Sequence, residues 1–99
     1  MLMRQVTAAT AWFDRKDYRR IRKMAADRDD LPERYDDWLA KTSRQIADLN
    51  ARGIPVRKVV LKPHQLEVFC RFRGLECDAA ARAHFAAIVA NNLDVAAGA

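Results

Sequence analysis

The side chains best suited to metal or nucleophilic chemistry fall in one stretch, as His64, Cys70, Cys77 and His84. These are the usual zinc-ligand types, and zinc requires them to converge on a tetrahedral centre. His64 and Cys70 are six positions apart, which on one helix is a rotation of about 600 degrees, so they point away from each other. There is no C-x-x-C knuckle, and Cys70 lies on the apolar stripe of its helix. The simpler reading is a buried structural Cys70 with surface histidines, and no metal or cofactor is expected. Cys77 stands just ahead of a helix N-terminus, where a thiolate is favoured, but the carboxylate of Asp78 beside it opposes that charge. The chain has no glycine-rich phosphate loop and no G-x-S-x-G turn. Asp36 and Asp37 are neighbours on a helix and point to different sides. Catalysis is not expected.

The elements that would position these residues read as follows. Phe13-Asp14-x-x-Asp17-Tyr18 is a helix start: Asp14 can cap, Asp17 sits near the positive end of the dipole, and Phe13 can staple onto Tyr18. The helix runs from about residue 14 to 26, with Tyr18, Ile21 and Ala25 on its apolar side and a basic outer face. Arg28-Asp29-Asp30-Leu31-Pro32 interrupts the pattern. A second helix follows, with Tyr35, Trp38, Leu39, Thr42, Ile46 and Leu49 at helical spacing and Gly53 as the left-handed residue that ends it. Residues 56–62 are rich in β-branched side chains and read as one strand, with Arg57, Val59 and Leu61 on one face and Val56, Lys58, Val60 and Lys62 on the other. Pro63 opens a third helix in which Leu66, Phe69 and Cys70 share a face and which Gly74 closes. Asp78 caps a fourth, alanine-rich helix bearing Ala81, Phe85, Ile88 and Val89, expected to fray near Asn91-Asn92.

The expected fold is therefore mainly α with one short strand, in the order helix, helix, strand, helix, helix. It is a single domain over residues 1–99, with 1–12 and 95–99 extended or loose. A lone strand leaves backbone donors and acceptors unmet. Its partner is expected to be the N-terminal segment around Arg4 to Thr7 or the same strand of a second copy, which suggests a homodimer.

The 99 residues carry a formal net charge of +5, but in blocks. Residues 15–23 hold six bases against one acid, residues 27–37 six acids against two bases, and residues 52–73 six bases against one acid. The first block is expected to be a solvated face balanced by Asp27, Asp29, Asp30, Glu33, Asp36 and Asp37. No stretch has the length of a membrane span or the apolar run of a secretory signal, and two cysteines make no disulfide framework. The cytoplasm is the expected location. The aromatic residues sit mainly at core spacings; Trp12 and Phe72 lie beside a stripe rather than on it.

The strand followed by two helices, Val56 to Val89, resembles in layout the ribbon-helix-helix DNA-binding unit, in which two chains pair one strand each. That resemblance implies that Lys58, Val60 and Lys62 face bases or phosphates, while Glu76 and Asp78 would repel phosphate at the second helix. The segments Tyr35-Asp36-Asp37-Trp38-Leu39, Phe69-Cys70-Arg71-x-x-Gly74-Leu75 and Asp78-x-x-Ala81-Arg82-x-x-Phe85-Ala86 are similar to those of a group of short uncharacterised bacterial proteins. The similarity covers most of residues 14–90. It implies a bacterial cytoplasmic protein of similar fold, and no functional residue is carried over from it.

The expectation is a non-catalytic binding or adaptor protein acting through protein–protein contact, homodimeric, with itself or another protein as partner and no membrane. A ribbon-helix-helix DNA-binding regulator is the alternative, and a small Cys/His metal protein or enzyme comes third. The candidate contact residues are Arg57, Lys58, Val60, Lys62, Arg71, Arg73, Trp12 and Phe72.

Overall fold

The computed structural model describes the backbone of residues 7–98 and the side chains of residues 7–91. The elements run β1 (Ala8–Trp12), α1 (Arg15–Met24), a 3-10 turn (Arg28–Asp30), α2 (Tyr35–Ala51), β2 (Val56–Val60), α3 (Pro63–Arg73) and α4 (Ala79–Gly98). The chain is mainly helical, with the four expected helices and the expected strand. The expected order is corrected, because a strand precedes the first pair of helices.

β2 runs parallel to β1, with Ala8 opposite Val56 and Trp12 opposite Val60. The ladder is extended at both ends: Ala8 N–H donates to Pro55 O (2.9 Å) and Leu61 N–H to Trp12 O (2.9 Å). The strand thus finds its company in the N-terminal part of its own chain, at residues 8–12 rather than around Arg4 to Thr7; residues 4–6 lie outside the described residues. Two corrections follow. A parallel pair within one chain is not the ribbon shared by two chains, so the ribbon-helix-helix layout does not describe this fold. Nor does β2 require a second copy to satisfy its backbone. Ala8-Ala9-Thr10-Ala11 has little strand propensity of its own, and it is extended because β2 needs donors and acceptors. Its small side chains also admit α4, and the gap between them is lined by Ala9 and Ala11 on one side and Ala79 and Ala83 on the other.

Local signals account for most helix boundaries. Pro63 occupies the first turn of α3, and Gly74 ends it at φ 64°. Gly53, at φ 79°, follows α2. Asp78 Oδ1 accepts from Ala81 N–H (2.9 Å) and caps α4. α4 continues through Asn91-Asn92 to Gly98, where fraying and a loose tail were expected. Asn costs under about 1 kcal/mol relative to Ala, and the residues from 79 to 97 include no Gly or Pro to stop the helix.

Ile21, Leu61 and Leu66, from three parts of the chain, are fully enclosed. Beside them Trp38 of α2 packs on Trp12, Phe13, Tyr18 and Tyr35 at ring-centroid distances of 5.1, 4.9, 5.7 and 5.3 Å. Phe13 also reaches Tyr18 (6.0 Å), as the staple requires.

A buried ion pair joins α4 to the end of the first helical segment. Arg82, 5% exposed, donates from both terminal nitrogens to Asp27 (2.8 and 2.7 Å) and to Cys77 O (3.3 Å). Cys77 O also accepts from Ala26 N–H (2.8 Å). The hydrogen bond from Arg82 holds the Asp27 carboxyl below its ordinary value of 3.8 despite burial. Removing one partner strands the other charge, so Arg82→Ala should cost about 3 kcal/mol in urea unfolding at neutral pH. A depressed carboxyl pKa contributes stability that is complete above 3.8 and is lost as pH falls through the folded-state value. The stability gap between wild type and Arg82→Ala should therefore shrink below pH 3.8; a gap unchanged into that range would mean that Asp27 does not carry the effect.

Candidate functional site

The candidate contact residues fall into two groups, set by the alternation of β2 and by the end of α3. Parallel register puts Lys58 and Val60 on the same face as Thr10 and Trp12. Lys58 is exposed but lies over the Trp12 ring (Nζ to centroid 4.2 Å). Trp12 is half-buried and edge-on to Trp38, so it belongs to the margin of the core. Val60 is exposed. On the opposite face Val59 and Leu61 are buried, as the alternation predicts, and Arg57 is half-buried with its guanidinium donating to Ala90 O (3.3 Å).

Lys62 does not join an outward basic row. It pairs with Asp14 (2.8 Å) and Asp17 (3.1 Å) of the α1 start, which raises its pKa and lowers that of Asp14. Asp14 accordingly makes no side-chain cap on α1; its carboxylate points to Lys62. The three outward residues expected to meet DNA are thus one lysine packed on tryptophan, one exposed valine and one lysine already neutralised.

Arg71, Phe72 and Arg73 come together at the C-terminal end of α3. Phe72 is 90% exposed, and Val68 and Leu75, at i−4 and i+3, are 48% and 44% exposed. Arg71 pairs with Glu67 (2.7 Å), and Arg73 lies over the Phe69 ring (5.0 Å) within 3.4 Å of His84. Two grooves flank Phe72. One, of about 870 Å³, is lined by Leu75, Glu76, Ala80 and His84; the other, of about 500 Å³, by His64, Val68, Phe69 and Phe85. Sequence spacing had placed Phe72 beside the core stripe but had not joined it to Val68 and Leu75. The available signal was Val68 and Phe72 at i and i+4 on α3, off its core stripe, with Leu75 following just past the Gly74 cap.

The Cys and His residues divide as the core reading expected, with Cys70 buried and both histidines exposed. Cys70 and Cys77, which spacing alone does not bring together, have their sulfurs 3.0 Å apart. Both thiols are free. Burial, and then the Cys70 neighbour, push the Cys77 thiol up to about 12, so the helix N-terminus does not produce a thiolate there. Among the described residues, no three of His, Cys, Asp and Glu are grouped to hold a metal ion, and no helix is long and apolar enough to cross a membrane.

A thiol so far from ionising should alkylate slowly. Iodoacetamide should modify Cys77 in the folded protein at pH 8 at least ~100-fold more slowly than after unfolding, because only the thiolate reacts. Equal rates in the two states, followed by mass spectrometry, would contradict the burial of that sulfur.

No curated protein and no solved structure matches the chain. A family model described as a domain of unknown function (DUF8829) matches residues 1–97, and the chain belongs to that family.

Proposed function

We propose that the protein is a non-catalytic binding module that associates with a second copy of itself through the exposed face of α3. The observation that carries this reading is Phe72, an aromatic side chain almost wholly in water and flanked by two grooves on the same surface. Leaving a large aromatic in solvent forgoes the stabilisation of burial, and clustered exposed apolar groups mark interaction surfaces. A knob and its holes on one surface suit a two-fold interface, in which the Phe72 of each copy enters a groove of the other.

Charge favours the same occupant. The α3 face and its rim carry Arg71 and Arg73 together with Glu67 and Glu76, so the surface selects neither a strongly acidic nor a strongly basic partner. A second copy supplies both signs in complementary positions. The dimer expected from an unpaired strand thus moves to a different surface, since β2 is satisfied within its own chain. A module of this kind has no need of an activated nucleophile, which agrees with the raised Cys77 thiol. The reading places the protein in the cytoplasm, where a neighbouring pair of thiols stays reduced.

Sedimentation velocity over a wide concentration range tests the proposal. Wild type should shift from monomer to dimer with concentration. Phe72→Asp, at a site that makes no core contact, should retain its helical circular dichroism and unfolding midpoint while dimer affinity falls roughly 30-fold or more. A wild type that stays monomeric throughout, or a Phe72→Asp variant that still dimerises normally, would overturn it.

A further inference from the structure

Another concave surface, sharing no lining residue with the grooves at Phe72, lies between α1 and the segment that leads into α2. It is a cleft of about 650 Å³, within the range of ~300–1,000 Å³ that holds small ligands. Its charged lining includes Arg19, Arg22, Lys23, Arg28 and Arg34 against a single acid, Glu33. Among the described residues none of these five cations has a carboxylate within ion-pair distance. Of the acids expected to neutralise them, Asp27 is taken by Arg82 and Asp36 by Arg15 (2.6 Å), while Glu33, in the lining, forms no ion pair with any of the five.

Two of the guanidiniums are already oriented by the backbone. Arg22 Nε donates to Leu31 O (3.2 Å) and Arg28 Nε to Ala25 O (3.3 Å). Each is thereby anchored through one nitrogen and keeps its terminal N–H groups for another acceptor. A planar fork fixed in this way matches the oxygens of a phosphoryl group, and part of the entropic cost of ordering it is met before binding. In the floor Tyr18 is buried and donates its hydroxyl to Pro32 O, which ties the segment before α2 to α1.

We infer that this cleft is a binding site for a compact polyanion carrying two or more linked phosphoryl groups, of which a nucleoside triphosphate and inorganic tripolyphosphate are the two sources. The surroundings argue for compactness. Glu33 lies in the lining and Asp29 and Asp30 are exposed on the adjoining 3-10 turn, so a long polyanion leaving the cleft on that side meets repulsion that a short one avoids. Nucleic acid is therefore disfavoured here despite the positive charge. The site is independent of the α3 face and does not rest on self-association.

Isothermal titration calorimetry at low salt, with tripolyphosphate, ATP and random-sequence duplex DNA as separate titrants, tests the assignment. Arg19 and Lys23 are exposed and make no hydrogen bond among the described residues, so Arg19→Ala with Lys23→Ala should fold normally, as an unchanged unfolding midpoint will verify. The control is Lys41→Ala with Arg44→Ala, which removes the same charge from exposed positions of α2 outside the cleft. The expected result is saturable binding of tripolyphosphate, weakened roughly tenfold or more by the first pair and unaffected by the second. ATP binding more tightly than tripolyphosphate would assign the nucleoside to the site, and equal affinities would assign the phosphates alone. Arg22→Lys, which keeps the charge and loses the fork, should also weaken binding. Absence of tripolyphosphate binding, equal losses in both paired variants, or duplex DNA binding as tightly through the same residues would each overturn the inference.

Discussion

Two strands that run parallel cannot be joined by a turn, and most of this fold follows from that constraint. The chain must return to the starting end of β1 before β2 begins, and here it does so through α1, the 3-10 turn and α2. Parallel register also means that both strands leave the sheet at the same end, so the residues after Trp12 and after Val60 become neighbours. The contact of Lys62 with Asp14 and Asp17 expresses that geometry: the starts of α1 and α3 meet because the strands before them lie side by side. What looked in the sequence like the end of a basic strand face is a clasp between two helices. The alternation of Val59 and Leu61 inward with Lys58 and Val60 outward remains intact up to that point.

The one buried ion pair among the described residues follows contact geometry rather than sequence proximity. Residues 15–23 and 27–37 carry opposite charge and adjoin in the chain, which suggested mutual neutralisation. The fold uses Asp27 for Arg82, 55 positions away, because α4 carries that guanidinium into the interior, where an unpaired charge is intolerable. The exposed Arg19 and Arg20 of α1 face no such demand and have no carboxylate partner among the described residues, whereas Arg15 at its start pairs with Asp36. One acid of the second block is thus drawn into the interior, and a concave basic surface remains that composition alone would have averaged away.

The legible parts of the chain are those whose causes are local. Pro63, Gly74, Gly53 and Asp78 each act within a few residues of where they stand, and each marks the boundary that its chemistry implies. The apolar spacing of Tyr18, Ile21 and Ala25 likewise identified the buried face of α1. β1 was hidden because its alanines carry no strand signal; only a partner far along the chain extends them. Distance also hid the meeting of Cys70 with Cys77, which depends on the turn between two helices, and the cleft, whose walls come from separate segments. The exposure of Phe72 was legible because it stood off the stripe of its own helix, whereas Lys62 was misplaced because its partners belong to another.

The same ladder has a kinetic consequence. It joins Ala8 to Val56, 48 positions later, so at about 5–20 residues per second the ribosome makes β1 roughly 2–10 s before its partner exists. During that interval the segment is an unmatched edge of the kind that templates aggregation. Four of its five residues, three alanines and one threonine, present little side-chain surface for pairing with strangers, and Trp12 at its end is the one large group. The weakness that concealed the strand thus protects the nascent chain, keeping the segment uncommitted until the valines of β2 have been synthesised.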